Sequence, residues 1–110
     1  MANIDFEKLI QQMLDAAKGV ITNHWGEAKP YVEKEFKAFA NNLKMIAELK
    51  VEGKITEEQA RMHIEIQKSS IRVVLLTIEG LGILTVEAAI NAAIDIVKST
   101  VNTAIGWVIL

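Results

Sequence analysis

The chain has 110 residues, with 12 basic and 14 acidic side chains and a formal net charge of -2. So even a balance argues against a polyanion-binding surface, because nucleic-acid binders concentrate Lys and Arg. Cysteine is absent, which excludes disulfides, thiolate metal sites and cysteine nucleophiles and suits a reducing, cytoplasmic compartment.

This length predicts one domain, residues 1–110. The hydrophobic fraction is 51%, with one proline and six glycines, so few positions favour loops. An abundance of Ala, Leu, Ile, Glu, Lys and Gln points to an all-α fold. The opening Met1-Ala2-Asn3-Ile4-Asp5 has no basic stretch followed by an apolar run, so no signal peptide is expected. The predicted helices span approximately 4–25, 29–52, 57–79 and 86–108.

In the first segment Phe6, Leu9, Ile10, Met13, Leu14, Ala17, Val20, Ile21 and His24 recur at helical spacing. Asp5 or Asn3 is placed to cap its start, where a short acceptor satisfies orphan N–H groups. The same stripe continues through Ala28, Val32, Phe36, Phe39, Leu43 and Ile46, and its constant phase suggests a single rod. Pro30 interrupts that rod. It removes one hydrogen bond and crowds the carbonyl of Gly26. Residues 26–30 are therefore expected to hold either a kink or a break with Pro30 in the first turn of a second helix.

A clear boundary follows at Glu52-Gly53-Lys54-Ile55-Thr56. Gly53 suits the left-handed conformation that ends a helix. Thr56 and Gln59 have capping-box spacing, and Glu57 and Glu58 complement the dipole of the first turn. Ile46-Ala47-Glu48-Leu49 through Gly53-Lys54-Ile55-Thr56-Glu57-Glu58 resembles a helix–Gly–x–Ile–Thr–Glu–Glu hairpin found in small bacterial oligomerisation motifs, and no function is carried over from it. The next helix carries Ala60, Ile64, Ile71, Leu75 and Ile78 on one face and Arg61, Glu65, Lys68, Arg72 and Glu79 on another. A second polar stripe, Glu87, Asn91, Asp95, Lys98 and Asn102, is out of phase with the first. A break at Gly80-Leu81-Gly82 with Thr85 as the next cap accounts for the shift. The alternative is one supercoiled helix from 57 to about 105. The expected architecture is thus an antiparallel up-down bundle, built either from four helices or from two long kinked helices whose hairpin dimerises.

Residues 71–110 contain only Arg72, Glu79, Glu87, Asp95 and Lys98 as charges. A helix apolar nearly all round belongs at the centre of a bundle or in a membrane. One apolar stripe from residues 1–55 looks insufficient to cover it, so association with a second copy is expected, a dimer above all. The expected interface residues are Leu75, Ile78, Leu81, Ile90, Ile94, Val97, Val101, Ile105 and Trp107. The alternative is a membrane-associated or pore-forming protein using residues 71–110, although Glu79, Glu87 and Asp95 interrupt the apolar run.

Functional motifs are sparse. His24 and Glu27 share a helix face, but a di-metal site needs further carboxylates, and no metal or cofactor is expected. His24 and Trp25 are candidates to line a small apolar-ligand pocket or simply to plug one end of the bundle. The stripe Glu87, Asn91, Asp95, Lys98 and Asn102 reads as a solvated face rather than a buried network. No phosphate loop or nucleophile elbow is visible. The function expected is that of a non-enzymatic, homo-oligomeric structural or protein-interaction module that does not bind nucleic acid.

Overall fold

The computed structural model describes residues 4–110, and every described element is helical. Helix α1 spans Phe6–Ile21, a single 3-10 turn spans Thr22–His24, and α2 runs from Trp25 to Val51. Helix α3 covers Glu57–Leu76 and α4 covers Ile83–Ile105. Asp5 caps α1 by accepting from the Lys8 amide at 3.1 Å; Asn3, the other proposed cap, lies outside the described residues.

The first half is not one rod. A straight helix from residue 6 to residue 51 would be about 69 Å long at 1.5 Å per residue, whereas the longest dimension of the molecule is 43 Å. The chain breaks at Thr22, whose φ of 52° lies in the left-handed region. A β-branched residue is strained there. The break therefore precedes the predicted 26–30 segment, and the first helix ends at Ile21 instead of 25. Pro30 lies within α2, in its second turn, and Gly26 opposes it with no Cβ to crowd the bend. Breaking the rod turns one apolar stripe into two separate walls, α1 and α2, which pack against each other.

The connection from α2 to α3 follows from local chemistry. Gly53, at φ 69°, donates to Lys50 O at 3.0 Å, while Lys54 donates to Leu49 O at 2.8 Å. These two bonds form the Schellman motif, which satisfies the last carbonyls of a helix. Thr56 and Gln59 form the reciprocal capping box at 3.0 and 3.1 Å. Ile55 packs against the core ahead of the cap.

Residues 77–82 separate α3 from α4, which excludes a single helix from 57 to 105. Helix α3 stops at Leu76, before the expected 79, and α4 begins at Ile83, before the expected 86. Its cap is Gly82 rather than Thr85, which lies within the first turn. The apolar Ile83 and Leu84 start the helix with their side chains exposed. Helix α4 ends at Ile105, before the expected 108, because Gly106 adopts φ 84° and its amide returns to Asn102 O at 2.8 Å.

The core draws on every helix. Leu9, Met13, Ala17 and Ile21 of α1, Phe36, Phe39 and Leu43 of α2, Ile64, Ile71 and Leu75 of α3, and Val86, Ile90, Val97 and Val101 of α4 are all buried. The most extensive packing is between α1 and α4. Ala17 on one side and Ala89 and Ala93 on the other are fully buried, and small residues at a contact reduce the interaxial distance.

This packing corrects the expected interface. Leu75, Ile78, Leu81, Ile90, Ile94, Val97, Val101 and Ile105 are buried within one chain, and Trp107 is partly buried against the same core. They already have partners, so they are not surface residues awaiting another subunit. The shortage of covering surface disappears because α4 packs between α1 and α3 of its own chain.

Candidate functional site

Helix α3 presents an apolar surface on the side away from the core. Its inward residues are Ala60, Ile64, Ile71 and Leu75. Met62, Ile66 and Val73 each follow one of these by two positions, a rotation of about 200°. They point into solvent, with exposures of 59, 60 and 64%. Leu76 follows Leu75 by one position and lies at the edge of this face, 41% exposed. With exposed Ser69 between them, the series 62, 66, 69, 73, 76 advances by alternating steps of four and three. That spacing is the seam of a coiled coil, which keeps one stripe facing a partner helix. Shallow hollows flank the ridge, one lined by Gln59, Met62, His63 and Ile66, the other by Glu58, Arg61, Met62, Glu65 and Ile66.

The sequence reading missed this face. The inward set Ala60, Ile64, Ile71, Leu75 and Ile78 was enough to orient the helix, and no significance attached to the apolar residues left outside it. Their regular spacing is the signal that identifies them.

Helix α3 is held in place by polar contacts on its flanks. The Arg72 guanidinium pairs with the Glu87 carboxylate of α4 through both Nε and Nη2. Ser70 Oγ donates to Glu35 of α2 at 3.0 Å. Hydrogen bonding to Arg72, reinforced by its charge, holds the Glu87 carboxyl below its ordinary value of 4.5 despite partial desolvation. A depressed carboxyl pKa stabilises the fold above the unfolded-state value, and that contribution is lost as pH falls through the folded-state value. Glu87→Gln is therefore expected to lower thermal stability near neutral pH, by less than about 1 kcal/mol because the pair is partly solvent-exposed. The gap to the unmodified chain should close as pH falls below 4.5; a gap that persists into strong acid would show that the charge of Glu87 is irrelevant.

The other polar candidates have structural surroundings. Asn91, Asp95 and Lys98 are exposed. Asn102 Oδ1 accepts from the amides of Ile109 and Leu110, each at 3.0 Å, which folds the C-terminal segment over one end of the helices. Lys50 Nζ donates to Ile105 O and lies 4.8 Å from the Trp107 ring centroid. It thereby supplies a cation to the negative end of α4 and to an aromatic face. At the opposite end, His24 packs against Gly80. A Cβ on Gly80 would lie 2.9 Å from His24 Nδ1 and 3.0 Å from Nε2. Trp25 is half-buried against the core. The imidazole edge is thus occupied by the α3–α4 connection, which suits a plug better than a ligand site.

Among the described residues, no group of three or more His, Asp or Glu side chains is placed to hold a metal ion. No helix among them is long and apolar enough to cross a membrane. Residues 71–110 are divided between α3 and α4, and Asn91, Asp95 and Lys98 give α4 an exposed polar side. No protein-family model, curated protein or solved structure matches this chain.

Proposed function

We propose that this chain is a non-enzymatic helical protein that works by self-association, as a structural or interaction module, and that the outward face of α3 is its contact surface. The supporting observation is the row of Met62, Ile66, Val73 and Leu76 opposite the core, interrupted only by Ser69. Exposed apolar residues scattered singly need no explanation, whereas four on one side of a helix at regular spacing favour an interaction surface. The cysteine-free composition suits work in the cytoplasm.

In this reading the helices form an antiparallel up-down bundle of four. Two end contacts support that arrangement. Lys50 near the end of α2 reaches the end of α4, and Arg61 near the start of α3 reaches Val108 O at 3.5 Å. At the other end, His24 between α1 and α2 meets Gly80 between α3 and α4. The bundle is then a complete folding unit, with the α3 face left over for a partner.

Size-exclusion chromatography with light scattering tests the proposal. The unmodified chain is expected to run as an assembly larger than a monomer. Ile66→Lys is expected to yield a monomer with unchanged helicity, since the side chain is exposed and its replacement removes no core contact. A unmodified chain that stays monomeric at high concentration, or an assembly unaffected by Ile66→Lys, refutes this use of the face.

A further inference from the structure

Resting on that reading, we infer that the occupant of the α3 face is the α3 helix of a second copy, lying antiparallel, with Glu65 of each copy beside Arg72 of the other. Charge distribution along α3 is the observation that selects this partner and this direction. Its first half carries Glu57, Glu58 and Glu65 against a single Arg61, whereas its second half carries Lys68 and Arg72. A parallel pair would set acidic half against acidic half and basic against basic. An antiparallel pair sets each acidic half against a basic one, twice over, as a two-fold interface requires.

The seam agrees with this direction. When Met62 faces Val73 of the other copy, Ile66 faces Ser69, and the same two layers recur on the far side of the two-fold axis. Glu65 and Arg72 then occupy equivalent flanking positions one step from the seam, where charges set partner choice and orientation. Arg72 is held on the α3 flank by Glu87, so its guanidinium is already ordered, and a second carboxylate adds to an existing pair. The hollows beside Met62 and Ile66 lie where Val73 of the other copy inserts. A lipid surface is the poorer fit. Interfacial helices border their apolar face with Lys and Arg, whereas the hollow beside this stripe in its first half sets two carboxylates, Glu58 and Glu65, against the single Arg61.

Ser69 is the weak point of the seam, a small hydroxyl where a coiled coil prefers Leu. Ser69→Leu is exposed on the single chain, and it is expected to tighten self-association at least tenfold while leaving the fold intact. Tighter association to a defined size, with helicity and melting unchanged, separates this variant from aggregation of a misfolded chain.

Direction is read by spin labels, which attach cleanly because the chain has no native cysteine. A nitroxide on Glu58→Cys is expected about 30 Å from its copy in the antiparallel pair and about 10 Å in a parallel one, from helix rise and packing distance. A label on Ser70→Cys, near the two-fold axis, is expected to be close to its copy. A short distance at both positions overturns the antiparallel arrangement while leaving self-association through α3 standing. Assembly without dipolar coupling at either position, or without tightening by Ser69→Leu, places the contact on another face and overturns the inference. A chain that remains monomeric throughout refutes the proposed function itself.

Discussion

Val97→Asp is expected to leave the chain unfolded, not dissociated. Val97 is fully buried in α4, and a carboxylate placed there has no cationic partner among the core residues. Burying an unpaired charge costs several kcal/mol even after relaxation, comparable with the whole stability of a domain this size, about 5–15 kcal/mol. Far-UV circular dichroism is expected to show loss of helix at 25 °C, or a denaturation midpoint far below that of the unmodified chain. The opposite outcome, a well-folded monomer, would mean that Val97 meets another subunit and not its own chain. Ile66→Lys supplies the contrast: the same kind of polar replacement, on the outward face of α3, is expected to change assembly and spare the fold.

The second large effect is expected at Gly80. Two independent costs meet there. Its φ of 92° is a conformation that side chains with a Cβ rarely adopt, and the added methyl would collide with the His24 ring. Gly80→Ala should therefore lose about 2–4 kcal/mol, more than the roughly 1 kcal/mol that glycine-specific backbone conformations cost on their own. Urea denaturation gives the value. Gly19→Ala is the control. Gly19 is exposed within α1, and an added Cβ meets nothing within 4 Å, so helix propensity should make that variant more stable by about 0.5–1 kcal/mol. Combining Gly80→Ala with His24→Ala should recover the part of the loss due to collision and leave the backbone part. Equal losses with and without the imidazole would show that the two residues do not touch.

Local chemistry was legible in the sequence. Gly53, Thr56 and Gln59 define the α2–α3 connection because each acts on backbone groups within a few residues. The phase shift between the polar stripes offered a break at Gly80–Gly82 beside one long helix as the alternative, and the structure has the break, over residues 77–82. Position 22 was illegible for the converse reason. Nothing marks Thr22 as a residue with positive φ, and the nearby Gly19 and Gly26 both lie inside helices. Tertiary packing imposes that turn against local preference. The expected shortage came from counting the apolar stripe of residues 1–55 as the whole cover for α4, whereas α1 and α3 both pack against it. The candidate contact surface was readable in principle, since Met62, Ile66, Val73 and Leu76 keep a regular spacing. Whether that row or the row Ala60, Ile64, Ile71 and Leu75 faces inward depends on which neighbours pack against α3, and that information is not local.

The coverage of α4 by its own chain underlies both the relocation of the contact surface and the proposal for α3. Amide hydrogen exchange followed on dilution tests it most directly. Amides in α4 are expected to keep the same protection from concentrated to dilute solution, while α3 alone reports dissociation through its outward side. Loss of α4 protection on dilution to the monomer would contradict the account, because it would mean that a second subunit shields the helix.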